Sequence, residues 1–387
     1  MSALRRVLVV LSVLALMSGV AACGGSGTGS GSASPTPSVR SDAARFDSAL
    51  AAWVESSGVV GATAAVVTPQ GSWSGAAGKD ASGRALTPDA AFPLASVTKT
   101  VTGAEVMLLA SRGLIDLDTP VSTYVTLPWD ARGATVRQLL GMRSGFPTLH
   151  DEDLLPRVAS DLGASWTTAQ QLAVVDPDGP RLGTLGAAPV GDMAGWYNSL
   201  NFDVLALVVE KVTGTSFAAA VRRDLLAPMM LTRMWSQTEE RPTAPLVSVV
   251  DDQRWKLSAP TTGYLPSTAW ASAMGVGGGS MAADAPTLAR WGAALYGGTA
   301  IPASLVSQMT AGDPADGYGL ATMRAVLDSG TVLVGHLGDA RVAASLMLYW
   351  PDSATTVVVL VPQHVDQSLG QLPGLADTFA GLARLGA

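Results

Sequence analysis

Apolar residues recur at helical spacing from Ala43 to Ser56, with Phe46, Leu50 and Trp53 on one stripe behind a Ser41-Asp42 cap. Two short β-rich runs follow, 61–67 and 71–77, separated by Pro69-Gln70-Gly71 in the manner of a hairpin. The stretch from Ala91 to Ala110 reads as an extended run ending at Ala95 and then an amphipathic helix beginning at Ser96, with Gly113 placed to cap it. A helix-rich region comes next: a short helix from Thr135 stopped by Gly145 and Pro147, then 167–175, 200–212 closed by Gly214, and 216–226. From about Ser248 the pattern changes to glycine-rich turns, one helix over 286–296 and strand-like runs at 318–324, 331–335, 342–350 and 355–361. A closing helix lies beyond Val365.

This order predicts an α/β fold in which an antiparallel sheet flanked by helices is built from both ends of the chain. The α/β domain takes residues 42–115 and 246–387, and an all-helical subdomain takes 116–245. With 387 residues, 48% of them apolar, the chain can bury a large core.

The amino terminus adds a different feature. Residues 1–22 have a basic start at Arg5-Arg6 and an apolar run too short for a membrane span, and they end in Val20-Ala21-Ala22-Cys23. Small residues directly before a cysteine resemble a bacterial lipobox, so Cys23 is expected to carry lipid and to anchor the protein at the extracytoplasmic face of the cell membrane. A plain secretory signal with an incidental cysteine is the alternative, and Arg5-Arg6 hints weakly at twin-arginine export. Cys23 is the sole cysteine and can form no internal disulfide. Residues 23–41 are rich in Gly, Ser and Pro and act as a flexible tether with a reach of roughly 20–25 Å.

The net charge is −7, and no basic run exists, which argues against nucleic acid as a partner. The histidines His150, His336 and His364 fit no metal spacing, so neither metal nor cofactor is expected.

Candidate chemistry centres on Ser96 and Lys99. Three residues apart on a helix, they place a hydroxyl and an amine on one face. A helix start offers free backbone N–H groups to a developing oxyanion. Of the four lysines (Lys79, Lys99, Lys211 and Lys256), Lys99 alone has a serine three residues before it. An N-cap serine followed by an exposed lysine would give the same spacing. To act as base Lys99 must be neutral, which an ordinary lysine is about one time in 2,500 at pH 7. Lowering its pKa by about three units costs about 4 kcal/mol and requires burial and a neighbouring positive field. A Ser-His-Asp triad using Asp203 or Asp339 competes, but no Gly-x-Ser-x-Gly elbow is present.

Five ordered segments support the first constellation: Phe92-Pro-Leu-Ala-Ser96-Val-Thr-Lys99; Gly113 to Pro120; Thr135 to Leu140 with Ser144-Gly145; Trp196-Tyr197-Asn198-Ser199; and, much later, His336-Leu337-Gly338. Over residues 45–365 the chain resembles the β-lactamase-related serine hydrolases, which include class C β-lactamases, D-alanyl-D-alanine carboxypeptidases and esterases. The resemblance implies a β-lactamase/transpeptidase-like fold and hydrolysis of a small-molecule or peptide ester or amide through an acyl-serine. It implies Ser96 as nucleophile, Lys99 as base and Tyr197 as partner acid/base. It also implies an oxyanion hole from the backbone of Ser96 and Asp339, and substrate contacts from Ser199, His336 and Gly338.

The pattern is departed from at three points. Ser199 stands where the family has asparagine, Leu337 lacks a hydroxyl for a substrate carboxylate, and Asp339 adds a negative charge nearby. These favour a neutral ester or amide over a penicillin, and Arg341 is expected to point to the other face from His336. The segment Met142-Arg143-Ser144-Gly145 departs from a family framework motif and is expected to alter packing more than chemistry. D-alanyl-D-alanine carboxypeptidase and β-lactamase activities stay open, as does a catalytically inactive binding lipoprotein on the same fold.

Overall fold

The computed structural model describes residues 43–149, 151–250, 266, 268–312, 317–326, 331–365 and 371–385. Cys23, the signal segment, the tether, Ser41-Asp42, His150 and Lys256 lie outside the described residues.

In chain order the N-terminal elements are helix α1 (Ala43–Ser57), the hairpin β1 (Gly61–Thr68) and β2 (Gly71–Gly78), the short strand β3 (Ala91–Pro93) and helix α2 (Thr98–Ser111). The middle of the chain holds α3 (Val136–Leu140), α4 (Asp151–Ser160), α5 (Thr168–Leu172), α6 (Leu200–Thr213), α7 (Phe217–Val221) and the strand β4 (Met234–Ser236). Then come α8 (Thr268–Ala273), α9 (Val276–Gly279), β5 (Met281–Asp284), α10 (Ala285–Tyr296) and α11 (Ala303–Thr310). The chain finishes with β6 (Met323–Val326), β7 (Val332–Asp339), β8 (Ala344–Trp350), β9 (Thr355–Val361) and α12 (Gln371–Leu385).

The main sheet has the order β2-β1-β9-β8-β7-β6 and is antiparallel throughout. Chain ends meet where β1 pairs with β9, Thr63 opposite Leu360 and Val67 opposite Thr356. Alternation sorts the strands' side chains between two cores. Ala62, Ala64 and Val66 of β1, with Val357, Val359 and Val361 of β9, face the layer formed by α1 and α12, where Phe46, Trp73 and Phe379 pack ring against ring at 5.0–5.7 Å. Ala65, Val358 and Leu360 face the larger core shared with α2 and α10.

Several boundaries differ from the sequence reading. The expected strand 318–324 is displaced to β6, with Tyr318 left in a turn. The run 342–350 starts at Ala344, because Ala340 to Ala343 form the β7–β8 turn, closed by an Ala340 N–H to Ala343 C=O bond of 2.9 Å. Residues 116–245 are not wholly helical: β4 joins a three-stranded sheet, β3-β5-β4, with strands from outside that segment. Helices α4, α8, α9 and α11 have no counterpart in the sequence reading, being short or rich in small residues.

Candidate active site

Ser96 does not open the α-helix. It sits in a 3₁₀ turn, Ala95–Val97, wedged between β3 and α2. Ala95 takes a left-handed backbone angle, φ 45°, uncommon for a residue with a Cβ, so the chain turns sharply just before the serine. The turn is clamped from both sides. Leu94 N–H donates to Met281 C=O at 2.9 Å, and the Ser345 hydroxyl on β8 donates to Leu94 C=O at 2.7 Å. Gly338 lies against the same carbonyl; a Cβ there would come within 2.2 Å of both Leu94 O and Ser345 Oγ. Gly338 therefore brings β7 into contact with the serine turn and does not itself line the cavity.

Lys99, on the first turn of α2, is fully buried. Its ammonium nitrogen donates to Ser96 Oγ at 2.9 Å and to Gly278 C=O at 2.8 Å. It also lies 5.1 Å from the ring centre of Tyr197 and 5.7 Å from that of Phe202. Burial holds its pKa well below the ordinary lysine range, while the Asp203 carboxylate pulls in the opposite direction. The requirement for a positive neighbour is thus not met: desolvation alone does the lowering, and the nearest charge is negative.

Tyr197 stands beside this pair with its oxygen buried. Burial raises its pKa above the ordinary tyrosine value, offset in part by the Ser96 hydroxyl, so the phenol is neutral. The oxygen is near enough to sense Ser96 but makes no hydrogen bond of good geometry, a position poised for a bond once a substrate enters.

These groups open onto a cavity of about 460 Å³. Ser96, Tyr197, Ser199, Asp203, Asp339 and Arg341 line it together with the apolar Leu149, Leu154 and Met274. Ser96, Lys99 and Tyr197 are brought together as the sequence reading required, and Ser199 and Asp339 sit on the wall. His336 is displaced from its expected role. It is wholly buried behind Tyr197, at 6.3 Å between ring centres, with Nε2 3.0 Å from the Tyr318 hydroxyl and Nδ1 2.6 Å from Leu337 C=O. Burial and the nearby Lys99 push its pKa down to about 3, so it stays neutral. His336 supports Tyr197 from behind and does not contact the cavity.

Two further expectations are corrected. Leu337 packs into the α1–α12 core on the opposite face of the sheet, so its missing hydroxyl has no bearing on substrate recognition. Arg341, at φ 61° in the turn after β7, folds back to the cavity and pairs with Asp339, guanidinium to carboxylate at 3.4 Å and backbone N–H to carboxylate at 2.7 Å. The expectation treated Arg341 as a strand residue, whereas β7 ends at Asp339 and Arg341 lies in the turn that follows.

Asn198 and Ser199 part company: Ser199 is on the cavity wall and Asn198 is not free to bind substrate through its amide. Asn198 turns inward, donating to Phe146 C=O at 3.2 Å and Pro147 C=O at 2.9 Å, and accepting from Leu200 N–H at 3.1 Å. In the departing framework segment, the Ser144 hydroxyl bonds Asn201 Oδ1 at 2.5 Å, a packing role. Asp203, considered from sequence as a triad member, faces Lys99 and no histidine; His364 lies 3.2 Å from Asp339 instead. Among the described residues, no group of three His, Cys, Asp or Glu could hold a metal.

A serine bonded to a buried lysine, with a neutral phenol alongside, defines an acyl-transfer site. The sequence profile of the Beta-lactamase family matches residues 46–373, and the chain belongs to this family of β-lactamase-related serine hydrolases. Esterase EstB of Burkholderia gladioli is 36% identical over 155 residues, which are 38% of this chain and 38% of the esterase. Protein flp of Staphylococcus aureus (strain N315) is 26% identical over 158 residues, 38% of this chain and 28% of flp. The chain thus aligns with well under half the length of either relative. Among solved structures, a D-stereospecific amidohydrolase from Streptomyces sp. superposes with a TM-score of 0.70 at 28% identity, covering 86% of this chain and 99% of that one. The D-amino acid amidase from Ochrobactrum anthropi SV3 in complex with L-phenylalanine gives 0.71 at 19% identity, over 87% and 99%, a likeness of fold.

Proposed function

We propose that this protein hydrolyses a neutral ester or amide through an acyl-enzyme on Ser96. One observation carries the reading: the Ser96 hydroxyl lies 2.9 Å from the nitrogen of a wholly buried lysine, at the wall of a cavity large enough for a small substrate. Lys99 takes the serine proton as Ser96 Oγ bonds the acyl carbon. Tyr197 passes a proton to the departing alcohol or amine, and water then releases the acid. Backbone N–H groups of Ser96 and Asp339 are the proposed oxyanion donors.

The wall supplies the substrate preference. Asp339 and Arg341 neutralise one another, so no uncompensated cation awaits a substrate carboxylate of the kind a β-lactam or a D-Ala-D-Ala peptide carries. Similarity to an esterase and to a D-stereospecific amidohydrolase supports ester or amide cleavage. The lipobox-like Ala21-Ala22-Cys23 and the tether behind it support a lipid-anchored location outside the cytoplasm. A fluorophosphonate should label Ser96 in the wild type and leave Ser96→Ala unmodified. Turnover of p-nitrophenyl acetate should exceed that of nitrocefin; brisk nitrocefin hydrolysis would refute the neutral-substrate assignment, and a folded but unlabelled wild type would leave a binding protein on the same fold.

A further inference from the structure

Asp203 is a fully buried carboxylate on the cavity side of α6, four residues and one helical turn beyond Ser199. Among the described residues no arginine or histidine pairs with it, and Lys99 is the one cation whose field reaches it. The two side chains form no direct ion pair. They meet through Gly278, whose N–H donates to Asp203 Oδ1 at 2.9 Å and whose C=O accepts from Lys99 at 2.8 Å. The fit around the carboxylate is close: a Cβ on Gly275 (φ 82°) would come within 2.2 Å of Asp203 Oδ1. A buried charge without a counter-ion is costly, so the placement of Asp203 beside a fully buried amine needs a reason beyond packing.

We propose that Asp203 is a positioning residue for Lys99, fixing the amine against Ser96 through Gly278 and supplying the counter-charge for the ammonium that forms during acylation. The inference rests on the serine hydrolase reading above. When Ser96 Oγ bonds the acyl carbon, the Ser96 proton moves to Lys99, giving a fully buried ammonium. The carboxylate of Asp203 balances that charge. As the bond to the leaving group breaks, the proton leaves Lys99 through Tyr197 for the departing alcohol or amine. Burial raises the pKa of Asp203 to about 7 against the opposing pull of Lys99 and the Gly278 and Gly277 N–H groups, so above that pH the carboxylate carries its charge. The other titratable groups around Lys99 are Tyr197 and His336, with Tyr318 behind them, and burial keeps all three neutral. The Asp339–Arg341 pair on the wall is internally compensated.

The test is the pH profile of kcat/KM for p-nitrophenyl acetate in Asp203→Asn. Removing the carboxylate makes Lys99 easier to deprotonate, so the acid limb should move to lower pH by one unit or more. The plateau should fall at least tenfold, because the ammonium has lost its partner. A residue that merely packed would lower the plateau without moving the limb, and an unmoved limb overturns the proposal. Fluorophosphonate labelling of wild-type Ser96 separates the two readings: no labelling sinks the hydrolase assignment, whereas labelling with an unmoved limb sinks only the role of Asp203. Should Asp203→Asn fail to fold, Asp203→Ser is taken through the same pH profile: it too removes the carboxylate, the acid limb should again move to lower pH, and an unmoved limb overturns the proposal.

Discussion

Replacing Glu105 with glutamine should remove a pH-dependent weakness from the helix that carries Lys99. Glu105 is on α2, fully buried, and neither carboxyl oxygen makes a hydrogen bond of good geometry. Burial, and then the charge of Asp224, raise its pKa from 4.5 to about 8. Asp224 itself is held down at about 2, chiefly by Arg223 and then by Arg112, at 2.6 and 3.0 Å. A folded-state pKa above the unfolded value means that the folded form prefers the protonated acid. The cost is absent below about 4.5, grows as pH rises, and is complete above about 8. A rise of 3.5 pH units, at 1.36 kcal/mol each, comes to about 5 kcal/mol, and relaxation around the charge brings the observable figure to roughly 2–5 kcal/mol. The glutamine amide is also buried without a partner, which costs about 1–3 kcal/mol at every pH and drops out of the comparison between pH values. Thermal melts of both proteins from pH 5 to pH 9 measure the difference. The Tm of Glu105→Gln relative to wild type should rise by roughly 4–10 °C across that range, at about 2 °C per kcal/mol for a domain of this size. Parallel Tm profiles would show that Glu105 does not titrate in this window and would refute the reasoning.

Two further substitutions probe the site. Tyr197→Phe removes the phenol that relays the proton while keeping the ring beside Lys99, so kcat for p-nitrophenyl acetate should fall by about 10²–10⁴-fold with thermal stability near wild type; a fall of less than threefold would remove Tyr197 from the chemistry. Asn198→Ala deletes three buried hydrogen bonds to the backbone of Phe146, Pro147 and Leu200, and should cost roughly 2–4 kcal/mol in urea unfolding and weaken substrate binding through Thr148 and Leu149 on the cavity wall. Wild-type stability in that variant would mean the loop is held by other contacts.

The sequence by itself determined whatever depends on residues close along the chain. The β-rich runs located β1, β2, β8 and β9, the three-residue spacing of Ser96 and Lys99 put a hydroxyl and an amine within reach of one another, and glycines such as Gly113 and Gly214 marked helix ends. The family signatures placed Tyr197 with them. Tertiary structure decided what depends on distant segments meeting. Whether Lys99 is buried could not be read from α2 alone, because Tyr197, Phe202 of α6 and Gly278 of α9 close around it from about 100 or more residues away. The same packing turned His336 inward, brought Arg341 round to the cavity through a single left-handed residue, and set Asp203 against the Gly278 peptide. Local spacing governs which groups can share a face; the field each group feels is the sum over everything folded around it, and that sum exists only once the long-range contacts have formed.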